Sequence, residues 1–236
     1  MKVYNQSREK RRYRTPLAER VLPVYTRGEE LFNTLTHLAG VIFGLFALPN
    51  ALALALGRAD PVMIAATLVW TLSIVGMYAI SAFYHALSPC MGKRVLQVVD
   101  HCFVFALIAG TYTPVSLCTL RAFSPSLGWG YLVFVWGVAL VGITLNAIDL
   151  HRFSVFSNLS YLLLGWCILP YIGIARAGMG ERGFALLLWG GAAYTLGAAA
   201  YLLGVKVRYM HGVFHLLTLV GTVLHYASIM GYVLVA

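Results

Sequence analysis

His211 and His215 stand four residues apart in the apolar stretch 211–236. On a helix that spacing puts both imidazoles on one face, one turn apart, so two nitrogen ligands come from a single rigid element. His85 closes an earlier apolar stretch, and Asp100 lies near the start of the next. Three neutral imidazoles beside a carboxylate are what a catalytic zinc requires: they leave an open position for water, whose pKa the metal lowers to about 7. The expected ligands are therefore His85, His211 and His215. When ionised, Asp100 can only accept hydrogen bonds; its expected part is to hold or deprotonate the water, or to orient a ligand from behind. Ser81, one turn deeper than His85, is placed to share the cavity. The last helix lacks the Glu of a His-Glu-x-x-His motif, which leaves the general base to come from Asp100.

The elements that must position these groups are membrane helices. Of the 236 residues, 60% are hydrophobic and 11% charged, with a mean hydropathy of +0.80. A water-soluble domain carries about a quarter charged residues, so lipid is the solvent. Seven apolar segments run at 31–56, 62–87, 95–119, 127–148, 155–175, 183–204 and 211–236, each long enough to cross a core of about 30 Å at about 1.5 Å per residue. The expected fold is an all-α integral membrane protein: a seven-transmembrane-helix bundle over 28–236, preceded by a basic segment, 1–27, that lacks fixed structure or lies along the membrane surface. Short connections rich in Gly, Pro and Ser leave no room for a second domain. Pro49 and Pro170 are expected to kink their helices.

The net charge of +9 does not point to nucleic acid. Lys2, Arg8, Lys10, Arg11, Arg12, Arg14, Arg20 and Arg27 supply eight of the 17 basic residues, and beside a membrane such a cluster is a topology signal that can also touch anionic headgroups. Lys93, Arg94, Arg152, Lys206 and Arg208 fall on the same side, against Arg58, Arg121, Arg176 and Arg182 on the other. The N-terminus is thus expected in the cytoplasm and the C-terminus outside, in a multi-pass cell-membrane protein. His37, His85, Asp100, His101, His211 and His215 then share the cytoplasmic leaflet. His101 and His151 are read as interfacial side chains with a polar tip in water. His37 is divided between a structural and a functional role. His225, about 15 Å deeper than His215 by helical rise, is too far to join the same metal and is expected to bond across helices or line a cavity. Cys90, Cys102, Cys118 and Cys167 show no paired spacing and read as packing residues. No cleavable leader is expected.

Three runs together resemble a known family. Glu30-x-x-Asn33-x-x-Thr36-His37, Ser81-x-x-x-His85 followed by Asp100, and His211-x-x-x-His215 look like the signature motifs of the progestin and adipoQ receptor superfamily, whose bacterial branch is the hemolysin III family. The resemblance covers 28–236. It implies seven membrane helices, a cytoplasmic N-terminus, and zinc on His85, His211 and His215 with Asp100 at the metal-bound water and Ser81 nearby. It also implies that Glu30, Asn33, Thr36 and His37 order the start of the first helix beside the site. Eukaryotic members include receptors linked to ceramide hydrolysis. Loops of a few residues offer little surface here for a protein hormone.

The leading functional expectation is zinc-dependent hydrolysis of an amide or ester bond in a membrane lipid, contributing to lipid homeostasis. The alternatives are a structural zinc in a sensor or regulator of lipid composition, a bis-histidine haem protein, and an ion or solute transporter using Thr218, Thr222 and His225. A retinal protein is disfavoured because the last segment holds no Lys.

Overall fold

The computed structural model describes residues 14–235. Lys2, Arg8, Lys10, Arg11 and Arg12, expected to lack fixed structure or to follow the membrane surface, lie outside the described residues. Helix α1 (Arg27–Arg58) starts at a capping box: the Thr26 hydroxyl accepts from the Glu29 N–H, and the Glu29 carboxylate accepts from the Thr26 N–H. Helix α2 (Pro61–Ala86) follows after only Ala59 and Asp60. Ala59 adopts φ 54°, Asp60 caps the Val62 N–H at 2.9 Å, and Pro61 fills the first helical position, where no N–H is needed.

Helix α3 (Met91–Phe123) contains Pro114 and turns π-helical over Val115–Leu120 before running on. A proline with no N–H removes a rung of the ladder, and the wider turn that follows absorbs the mismatch. Helix α4 (Pro125–Asp149) again opens on proline. Helix α5 (Ser154–Gly165) ends in a 3₁₀ turn, Leu169–Tyr171, holding Pro170. Helix α6 (Ile172–Leu203) leaves helical geometry at Gly180, φ 68° and ψ 169°, a conformation only glycine adopts without strain. Helix α7 (Met210–Val233) ends in a π-helical turn. Pro49, by contrast, sits inside a helix that runs unbroken from Arg27 to Arg58.

Among the described residues, six helical stretches are long and apolar enough to cross a membrane: α1, α2, α3, α4, α7 and the 50-residue stretch Ser154–Leu203. The two segments expected at 155–175 and 183–204 both fall in that last stretch. No strand occurs among the described residues. The protein is a helical membrane protein, and its polarity is inverted accordingly. Leu163 and Trp189 are 74% and 68% exposed, whereas Asn33, His37 and Thr71 are buried.

In sequence order α1 packs on α2, α2 on α3 and α3 on α4, while α7 packs on both α6 and α1 and closes the bundle. Lipid tails are as apolar as these helices, so close van der Waals contact and buried hydrogen bonds hold them together. Gly40 lets α1 approach Tyr78, Gly142 lets α4 approach Phe105, and Gly190 lets α6 approach His225. Residues 14–26, expected to lack fixed structure or to follow the membrane surface, lie across one end of the bundle. The Thr15 N–H donates to Asp149 Oδ2 at 2.8 Å, Arg20 to the Ile148 carbonyl at 2.8 Å, and Arg94 to the Arg20 carbonyl at 3.0 Å.

Gly142 and Gly137 provide a paired test, since a methyl at 142 meets the Phe105 ring while one at 137 meets nothing. Gly142→Ala is expected to destabilise by about 1–3 kcal/mol, as overpacked sites do. Gly137→Ala is expected to leave the thermal midpoint in detergent unchanged. Both are read by thermal unfolding of the purified protein.

Candidate metal centre

The first turn of α1 carries two adjacent glutamates, and each reaches a different helix. Glu29 Oε1 accepts from the Tyr209 N–H at 3.1 Å and so fixes the chain just before α7, which bears His211 and His215. Glu30 Oε2 lies 2.7 Å from Nδ1 of His85, at the end of α2. A carboxylate only accepts, so Nδ1 carries the proton and Nε2 keeps the lone pair. Nε2 is buried and has no partner among the described residues. This is the arrangement by which a carboxylate orients a histidine toward a metal. The Asn33 amide lies behind the same Nδ1 at 3.4 Å.

His215 is oriented in the same way by a hydroxyl. Thr36 Oγ1 donates to the Asn33 carbonyl at 2.9 Å and lies 3.4 Å from His215 Nδ1, from which it can accept. His211 is packed between aromatic rings, with Tyr25 stacked on it at 5.1 Å and Tyr201 at 5.7 Å. Burial pushes the Tyr25 phenol above the usual tyrosine range, so it stays neutral over the site. The outcome is that His85, His211 and His215 each offer a ring nitrogen, all within 4.8 Å of one another. Three imidazoles so placed can hold a metal ion.

Around them the structure gathers the remaining expected groups. Ser81 is buried and lines a cavity of about 170 Å³ together with His37, Asp100, His211 and His215. Asp100 Oδ1 is buried without a partner among the described residues, and its Oδ2 lies 3.6 Å from His101 Nδ1. His37 packs on His215 at 3.9 Å between ring centroids, with neither of its nitrogens bonded among the described residues. His101 donates back to the Gln97 carbonyl at 2.8 Å, and His151 is exposed. His225 both bonds across helices, to the Leu187 carbonyl at 3.0 Å, and lines the inner end of the cavity.

Two residues beside the site are absent from the sequence reading. Lys93, counted there only as a topology charge, is 2% exposed and donates to Glu30 Oε1 at 2.6 Å and to the Leu87 carbonyl at 2.7 Å. Tyr25 belongs to the segment read as unstructured or surface-lying. No local pattern distinguishes Lys93 from its half-buried neighbour Arg94.

The Lys93–Glu30–His85 chain makes a prediction with a definite sign. By charge alone, removing a cation beside a metal site tightens metal binding. If the chain orients His85, Lys93→Met weakens zinc affinity instead, by about 10- to 100-fold, as losing an outer-shell partner does, and Lys93→Arg restores part of it. Zinc titration of the purified variants against a competing chelator reads the difference.

Comparison with known proteins agrees with the motifs. The family model described as haemolysin-III related matches residues 25–226. The chain is 32% identical to hemolysin-3 of Bacillus cereus over 206 residues, 87% of this chain and 92% of that one. It is 30% identical to the hemolysin-3 homolog of Bacillus subtilis (strain 168) over 209 residues, covering 89% and 96%. The matched region contains Glu30, His85, Lys93, Asp100, His211 and His215, and the chain belongs to the haemolysin-III-related family.

Proposed function

We propose that the protein is a zinc-dependent hydrolase of an amide or ester bond in a membrane lipid, with ceramidase-like chemistry and a role in lipid homeostasis. The observation that carries this reading is the junction of a three-histidine cluster with an elongated, mainly apolar cavity that also holds Asp100. One end offers metal ligands and a carboxylate, and the rest offers room for a chain. Zinc on the three histidines would supply Lewis acidity for the carbonyl and lower the pKa of a water. Asp100, whose Oδ1 has no protein partner, takes the proton from the attacking water and passes it to the leaving nitrogen or oxygen as the acyl carbon–heteroatom bond breaks. Ser81 orients the carbonyl or the water. Glu30 and Thr36 hold two of the imidazoles in the tautomer that binds metal.

The proposed topology is seven crossings with the N-terminus in the cytoplasm. Ser154–Leu203, 50 residues long, would extend about 75 Å if straight, more than twice a hydrocarbon core. The break at Gly180 supports two crossings there. The excess of basic residues at the His85 end supports the orientation.

A second reading, in which the metal ties helices together in a lipid sensor without turnover, is favoured by one observation. Tyr25 stacks on His211, and the strap bearing it is bonded to α3 and α4. The two readings part at Asp100. Zinc-loaded protein is incubated with a panel of long-chain N-acyl and O-acyl lipids, and released fatty acid is quantified. Catalysis predicts release that Asp100→Ala lowers by about 100-fold or more with zinc content retained, the usual worth of a general acid–base group. Absence of release from fully loaded wild type, or full release by Asp100→Ala, contradicts it.

A further inference from the structure

The inner end of the cavity, where Tyr112, Gly165, Trp166, Leu187, Gly191 and His225 meet, has an unbalanced set of hydrogen-bonding groups. Its donors are spent on the protein itself. The Tyr112 hydroxyl donates to the Gly165 carbonyl at 2.6 Å, and the Trp166 indole N–H to Thr195 Oγ1 at 2.9 Å. His225 Nε2 lies 3.0 Å from the Leu187 carbonyl, which can only accept, so Nε2 carries the proton. A neutral imidazole has one N–H, and His225 Nδ1 is therefore a bare acceptor. It is buried, without a partner among the described residues.

The neighbouring tyrosine adds a second acceptor. Thr222 Oγ1 donates to the Thr218 carbonyl at 3.0 Å and so accepts from Tyr194, whose hydroxyl lies 2.6 Å away. With its proton spent on Thr222, Tyr194 Oη keeps lone pairs only. Tyr194 lines the same cavity, and its ring lies 5.3 Å from that of His225. A pure hydrocarbon chain would leave the His225 acceptor unpaired, and a carbonyl or ether oxygen would bring a third acceptor. A group with its own proton is what this inner end lacks: the Thr218 hydroxyl of the same cavity, without a partner among the described residues, lies about two turns nearer the metal end.

We propose that the inner end is a subsite for a hydroxyl group carried on the lipid chain, bonded to His225 Nδ1. This rests on the reading of the cavity as a lipid site. Ten residues of helix separate His215 from His225, so the hydroxyl sits about 15 Å from the metal end. The site thus selects a chain hydroxylated near its middle over one hydroxylated beside the carboxyl group.

The probes are stearate, 2-hydroxystearate and 12-hydroxystearate. Each displaces a fluorescent fatty acid from zinc-loaded protein in nanodiscs of dioleoylphosphatidylcholine. The expected result is that 12-hydroxystearate binds about three- to tenfold tighter than stearate, the worth of one neutral hydrogen bond. The 2-hydroxy isomer should show no such gain, and His225→Leu should abolish the difference. Equal affinity of stearate and 12-hydroxystearate in wild type, as when a resident water already serves His225, overturns the subsite and leaves the lipid cavity standing. So does a preference that survives His225→Leu. If none of the three acids binds, the lipid reading itself falls. Should His225→Leu fail to fold, the wild-type ratios decide alone.

Discussion

Everything at the candidate metal centre hangs on the hydrogen bond between Glu30 and His85. It joins the first turn of α1 to the end of α2, and Lys93 extends it to the start of α3. One residue earlier, Glu29 reaches the backbone just before α7. Two adjacent carboxylates therefore gather four helix ends, and the capping box at Thr26 sets the turn from which both project. In a medium that screens little, a carboxylate stripped of its partners is strongly unfavourable. Lys93, Glu30 and His85 consequently stand together as a unit.

The remainder of the bundle serves that unit by keeping lipid outside and polar groups within. Exposed leucines and tryptophan face the acyl chains, and glycines at 40, 142 and 190 let aromatic rings or His225 seat between helices. Along the inner face of α7, Tyr78 and Tyr194 bond the Thr222 hydroxyl, Thr222 donates to the Thr218 carbonyl, and His225 donates to the Leu187 carbonyl. These bonds hold a cavity open inside a structure that has no hydrophobic drive to keep its helices apart or together. Three histidines that can hold a metal at one end and hydrogen-bond acceptors at the other give the cavity a direction.

Much of this was legible in the sequence because it obeys short-range rules. The four-residue spacing of His211 and His215 survives in any helix, and the hydropathy pattern locates α1 to α4 and α7 to within a few residues. His85 and Asp100 could be matched to the pair because they sit at helix ends on one side of the membrane. Pro170 and the glycine-rich connection between the segments 155–175 and 183–204 marked the places where the Ser154–Leu203 stretch departs from a regular helix. Hidden from the sequence were pairings set by tertiary packing. Lys93 and Arg94 look alike as charges, yet one is buried against Glu30 and the other bonds the strap. Tyr25 lies in a polar, basic segment, and only the fold stacks it on His211. The unsatisfied nitrogen of His225 depends on which carbonyl of α6 lies opposite, a matter of helix register that periodicity does not encode.

The central claim, that His85, His211 and His215 form a three-nitrogen zinc centre with a position left for a small oxygen ligand, is tested most directly by X-ray absorption at the zinc edge of the purified, zinc-loaded protein. The expected spectrum is that of a four-coordinate shell of three imidazole nitrogens and one oxygen at about 2.0–2.1 Å, with no sulfur. A sulfur neighbour at about 2.3 Å, or a six-coordinate shell without the imidazole signature, would contradict it.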